Sequence, residues 1–260
     1  MRLGSAWDFL MKPVRWLLLA ALNGEAVHRR IWILANKVPP DRTVTDHILT
    51  KVGNIVQAKY RIATEQSAQF LLEHAPDAHA FDSPQELLAR CVEIAREREG
   101  AFLEFGVYTG ATINQIAGEV PDRIVHGFDS FQGLPENWRD CPEGAFSTDG
   151  KLPRVRSNVQ LHVGLFQDTL PAFMKKEHAP MTIALLHIDC DLYSSTKTVF
   201  DHLGEYIGKG TVVVFDEFFN YPNFQDHEFR AWFEYIEQTN HSFEYIGFAN
   251  ELTALAVKIT

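Results

Sequence analysis

Cysteine is scarce in this sequence. Only Cys91, Cys141 and Cys190 occur among 260 residues, and their spacing builds neither a disulfide framework nor a zinc site. A reducing cytoplasm is the simplest home. Basic residues are in deficit too. Against 34 Asp and Glu stand 24 Lys and Arg, a net charge of -10, which argues against a nucleic-acid-binding surface. Long apolar runs are missing: Trp16–Leu22, the longest near the N-terminus, falls far short of the ~20 residues a membrane span needs. Internal repeats and low-complexity tracts are absent. What remains is an ordinary globular composition, 46% apolar and 22% charged, long enough for one large domain with an N-terminal appendage.

Met1–Leu22 places Arg2, Lys12 and Arg15 before a short apolar core. Pro13 and Arg15 interrupt it, and Asn23-Gly24-Glu25 is a poor cleavage site. A helix that docks on a partner subunit or lies on a membrane surface is the better reading, and homo-oligomeric assembly follows from it. Residues 1–100 read as a helical extension for assembly or for capping the site. Trp16–Leu22 and Ile31–Leu34 are apolar patches, a helix begins near Val44, and Val52–Leu72 has helical apolar spacing. Ser83 then caps a helix with Pro84 at its first position and Glu86 three residues after the cap.

From Ala101 short apolar runs alternate with helices, the signature of a parallel sheet in an α/β fold. The expected strands are Ala101–Gly106, Ile124–Phe128, Val159–Val163, Ile183–Ile188 and Thr211–Phe215. Helices are expected over Thr112–Glu119, Leu170–Lys176 and Ser194–Tyr206, and from Glu228 to about Gln238. Phe243–Phe248 and Leu252–Ile259 are separated so briefly that they must pair antiparallel.

The first of these strands runs into Glu104-Phe105-Gly106-Val107-Tyr108-Thr109-Gly110-Ala111-Thr112. Strand, glycine turn and helix suit an adenosine-containing cofactor, although the full G-x-G-x-x-G is absent. Asp129 follows Gly110 by 19 residues, and an acid there can accept hydrogen bonds from ribose hydroxyls. A turn or capping aspartate before Ser130 is the plainer alternative. Phe166 could lie on an adenine face with Gln167 at its edge; a core phenylalanine and a cap fit equally. Asp189 and Asp191 end the fourth strand, and Asp216-Glu217 the fifth. Four carboxylates at one sheet edge repel each other and resist desolvation. A hard divalent cation, Mg²⁺ by default, held by Asp189, Asp216 and Glu217 removes that problem; helix caps and ion pairs with distant arginines are the alternative. His187 points into the same site by alternation, or is a satisfied core residue. Gln132–Ser157 is too long for a plain connection and reads as a mobile lid or a packed surface loop.

Together these segments resemble the macrocin O-methyltransferase family, class I S-adenosylmethionine-dependent enzymes. The resemblance lies in Glu104–Gly110, Phe128–Pro135, Thr169-Leu170-Pro171, His187–Thr196 and Phe215-Asp216-Glu217. It implies a Rossmann-like α/β sheet of order 3-2-1-4-5-7-6 with strand 7 antiparallel, over residues 101–260. It also implies S-adenosylmethionine as cofactor and a hydroxylated small molecule as acceptor. Glu104, Gly106, Thr109 and Thr112 would surround the methionine part, with Tyr108, Gly110 and Ser130 beside them. Asp129 would take the ribose, Phe166 and Gln167 the adenine. Two departures stand out. The pair at the fifth strand is Asp216-Glu217 where the family has Asp-Asp, and Gln132–Ser157 holds no histidine to act as base. Asp191 is therefore the first candidate for the base, with Asp140, Glu143 and His187 behind it. Two rivals remain: a nicotinamide-dependent oxidoreductase, which leaves the carboxylates unexplained, and a scaffold that kept the fold but lost activity.

Overall fold

The computed structural model describes residues 54–176, 182–250 and 252–260. The expected apolar patches Trp16–Leu22 and Ile31–Leu34, and the helix near Val44, lie outside the described residues. In chain order the elements are α1 (Ile55–His74), β1 (His79–Phe81), α2 (Pro84–Ala95), β2 (Ala101–Phe105), α3 (Ala111–Glu119), β3 (Val125–Asp129) and β4 (Val159–Val163). There follow α4 (Phe166–Lys176), β5 (Ile183–Ile188), α5 (Tyr193–Leu203), β6 (Val212–Phe215), α6 (Glu228–Thr239), β7 (Phe243–Ala249) and β8 (Leu255–Ile259).

The eight strands of the described residues form one sheet of order β1-β7-β8-β6-β5-β2-β3-β4. Counted from β2, this is the expected 3-2-1-4-5-7-6 arrangement with one strand added. β8 runs antiparallel to both β6 and β7, as the short connection demanded. The central strands β2, β5 and β6 are buried along nearly their whole length, which is why they read as apolar runs rather than alternating ones. Leu103, Phe105, Leu186, Ile188, Val213 and Phe215 face one core; Phe102, Leu185, Val212 and Val214 face the other, with α2 and α3.

Three expectations need correction. Residues 1–100 are not all helical, because His79–Phe81 adds a parallel edge strand to β7. Three residues are too few to show a period. The strand exists because Gly247 leaves room for it: a Cβ there would lie 2.4 Å from the His79 carbonyl oxygen. α4 begins at Phe166 rather than Leu170, so Pro171 sits inside the helix and not at its start. β8 begins at Leu255, three residues later than expected, since Thr253 and Leu252 bond back as a turn beside Phe218 and Ala249. The cap of α2 is as read: Ser83 Oγ accepts from the Glu86 N–H at 3.2 Å.

Candidate active site

The carboxyl ends of β2, β3, β4, β5 and β6 open into a cleft of about 530 Å³. Its floor at β2 is the turn after Phe105. Gly106 adopts φ +93° there, and its backbone lies so close to β5 that a Cβ would come 1.7 Å from the Asp189 carbonyl oxygen. Only glycine fits. Tyr108 at φ +46° and Gly110 at φ +82° carry the chain into α3.

Asp129 clamps this turn from the neighbouring strand. Its Oδ2 accepts from the N–H groups of Val107 and Tyr108, both at 2.8 Å, and its Oδ1 from Phe131 N–H at 2.7 Å. A carboxylate has about four lone-pair sites, so these bonds leave room for a ligand hydroxyl. The turn role is therefore filled without using up the carboxylate.

Glu104 is fully buried. Its Oε1 accepts from Thr112 Oγ1 at 3.0 Å and its Oε2 meets His187 Nδ1 at 3.1 Å. Burial alone would lower the His187 proton affinity, but the Glu104 hydrogen bond and charge, with Asp216 and Glu228 behind them, raise it. Among the expected site residues, Gly106, Tyr108, Asp129, Ser130, Phe166, Gln167, Asp189, Asp191 and Glu217 line the cleft. Glu104, Thr109, Gly110, Thr112, His187 and Asp216 are not among its lining residues: Glu104 and His187 are buried, and Thr109 is exposed.

The acids gather as the register requires. Ile188 pairs with Phe215, and Asp189 N–H and Asp216 N–H continue the two ladders to Phe105 and Ile188. The next residues on each strand therefore stand side by side. One carboxylate oxygen from each of Asp189, Asp216 and Glu217 lies within 4.8 Å of the other two. Burial, then the charge of Asp216, pushes the carboxyls of Asp189 and Glu217 well up. Glu217 Oε2 is buried without a partner among the described residues. Asp191 does not end the strand as expected. β5 ends at Ile188, and a left-handed turn at Asp191, φ +64°, aims it at the cleft. Burial and Asp216 push it up to about 7.

Sequence reasoning missed three features. Glu228, at the start of α6, is fully buried and faces the same acids; an acid in a first helical turn reads as an ordinary complement to the helix dipole. Phe146 meets Tyr108 edge to face at 5.9 Å at the cleft wall. Tyr193 and Lys197 stand at the Tyr-x-x-x-Lys spacing of nicotinamide chemistry. However, Tyr193 Oη donates to Glu234 and Lys197 Nζ to Asp201, away from the cleft lining.

The long segment 132–157 folds back over the cleft. Gly150 N–H and Thr148 N–H both return to the Phe131 carbonyl. Leu134 and Trp138 pack on Leu192, and Ser194 Oγ donates to Glu136 across the cleft. Arg139, at φ +53°, stacks between the rings of Trp138 and Tyr221 at 4.8 and 4.7 Å and donates to Tyr60 Oη. The three cysteines are free, and no helix among the described residues is long and apolar enough to cross a membrane.

A parallel sheet with one reversed strand, a glycine turn clamped by the acid of the next strand, and a cleft over the strand ends define a class I methyltransferase. Comparisons with known proteins agree. A family model described as a methyltransferase domain matches residues 103–218. Demethyldecarbamoylnovobiocin O-methyltransferase of Streptomyces niveus is 30% identical over 186 residues, 59% of this chain and 67% of that one. The chain belongs to the class I, S-adenosylmethionine-dependent O-methyltransferase family. Two solved structures share the fold: the calicheamicin methyltransferase CalS11, with TM-score 0.56 and 19% identity over 80% of this chain and 93% of that one, and the O-methyltransferase NovP, with TM-score 0.51 and 24% identity over 68% and 79%.

Proposed function

We propose that this enzyme methylates a hydroxyl of a sugar or other natural-product acceptor, assisted by Mg²⁺ or a similar divalent cation. The observation that carries the reading is the trio Asp189, Asp216 and Glu217, whose oxygens converge within 4.8 Å beside the nucleotide-type turn. Three acids so close, one with an orphaned buried oxygen, are stable together with a hard cation among them. An all-oxygen donor set suits magnesium better than zinc.

S-adenosylmethionine, when bound, supplies a methyl group on a positively charged sulfur, and a divalent cation supplies positive charge that weakens an acceptor hydroxyl's hold on its proton. The chain's residues do the rest. Gly106 permits close backbone approach, and Asp129 offers its remaining lone pair to a ribose. Phe166 and Gln167 line the adenine end, while Tyr108 and Phe146 narrow the cleft against water. Glu104 and Thr112 stiffen the turn from behind, and His187 positions Glu104. Asp191, in the cleft lining, takes the proton of the acceptor hydroxyl. Alignment of donor and acceptor is most of such a displacement.

Trp138, Ser194, Ser195 and Thr198 line the remaining wall, an apolar ring with hydroxyls around it, which suits a sugar face. The names of similar proteins support that class: one is a demethyldecarbamoylnovobiocin O-methyltransferase, and CalS11 is described as a TDP-rhamnose 3'-O-methyltransferase. A macrocin-type placement within the family rests on His187–Thr196 and Phe128–Pro135. Calorimetric titration with S-adenosylmethionine, followed by methyl transfer to a panel of hydroxylated sugars with Mg²⁺ or EDTA, tests the proposal. Absence of cofactor binding ends it. Transfer undiminished by EDTA ends the cation's part.

A further inference from the structure

The acids that the strand ends display stop at Glu217, and α6 adds one more. Glu228 opens that helix with no exposed surface. Its Oε2 accepts the backbone N–H of Glu217 at 3.3 Å. Its Oε1 is buried and has no hydrogen-bond partner among the described residues. The Oε2 bond sets it beside Glu217, among the charges of Asp191, Asp216 and Asp189.

An acceptor oxygen withdrawn from water and left unbonded costs on the order of 1–3 kcal/mol. The N-terminal dipole of α6 favours an anion there but gives Oε1 no donor. A hard cation such as Mg²⁺ keeps several of its waters when it binds protein carboxylates. Those waters are donors, which the surrounding acids, once ionised, are not.

We propose that Glu228 is a positioning residue of the cation site: Oε1 accepts a hydrogen bond from a water on a divalent cation held by Asp189, Asp216 and Glu217, while Oε2 fixes Glu217 through its backbone. The inference rests on the cation reading above. It makes the site a four-acid device assembled from β5, β6 and α6, with the helix setting how Glu217 presents its oxygens.

Manganese is the probe. Free Mn²⁺ is followed by electron paramagnetic resonance during titration of the wild-type chain and of Glu228→Gln, with neither cofactor nor acceptor present. Outer partners of metal ligands are commonly worth about 10- to 100-fold in affinity. Glu228→Gln is expected to bind Mn²⁺ at least about 10-fold more weakly, and Mn²⁺ should raise its melting temperature less than it raises the wild type's. Glu228→Asp keeps the charge and withdraws the oxygens by one methylene, so it should weaken Mn²⁺ as well. If either variant folds and binds Mn²⁺ as tightly as the wild type, the inference is overturned and the cation site stands. If the wild type itself binds no Mn²⁺ at millimolar concentration, the cation reading falls, and this with it.

Discussion

Glu104 on β2 and His187 on β5 are register partners in the parallel ladder, and their side chains meet at 3.1 Å with almost no exposure. The pair lies under the glycine turn on one side and beside the metal-type acids on the other.

Removing one partner of a buried pair strands the other's charge. His187→Leu and Glu104→Leu singly should each cost about 3–5 kcal/mol in urea unfolding. The double variant should lie closer to wild type than the sum of the two. Additive losses would show that the two residues act independently.

Gly106→Ala would place a methyl 1.7 Å from the Asp189 carbonyl oxygen at a positive φ. More than about 3 kcal/mol should be lost, since overpacking and backbone strain add. A thermal melt within a few degrees of wild type would mean that the turn and β5 can part without loss.

Asp216→Ala and Asp191→Asn separate two roles. The first should abolish Mn²⁺ binding and lower turnover on the order of 1000-fold, with S-adenosylmethionine affinity nearly intact. The second should lower kcat by about 100-fold or more and leave Mn²⁺ affinity close to wild type. The reverse pattern would make Asp191 the ligand.

His126 on β3 is buried, its Nδ1 lies 3.1 Å from His162 Nε2, and burial pushes it down to about 4 from an ordinary 6.5. Its folded value lies below its unfolded one. The unfolded chain therefore takes up a proton first as pH falls. Stability is unaffected above pH 6.5 and declines between 6.5 and 4, by on the order of 2–3 kcal/mol. Urea unfolding of His126→Gln against wild type at pH 7.5, 5.5 and 4.5 should show a smaller decline for the variant; parallel profiles would remove His126 as the cause.

Much of the fold was readable because local order carried it. Apolar runs of four to six residues between helical patterns announce buried parallel strands, and a connection too short for a crossover dictates the antiparallel β7–β8 pair. The sequence alone also determined which acids end β5 and β6, for that depends only on where each apolar run stops. Other features depend on contacts between distant segments and leave no local mark. β1 is a strand because β7 offers an open edge. Phe146 reaches Tyr108 because segment 132–157 folds back on Phe131. His187 is satisfied because register sets it opposite Glu104. Glu228 joins the acids because α6 docks its first turn there, and only packing in three dimensions decides which side of a helix end loses its water.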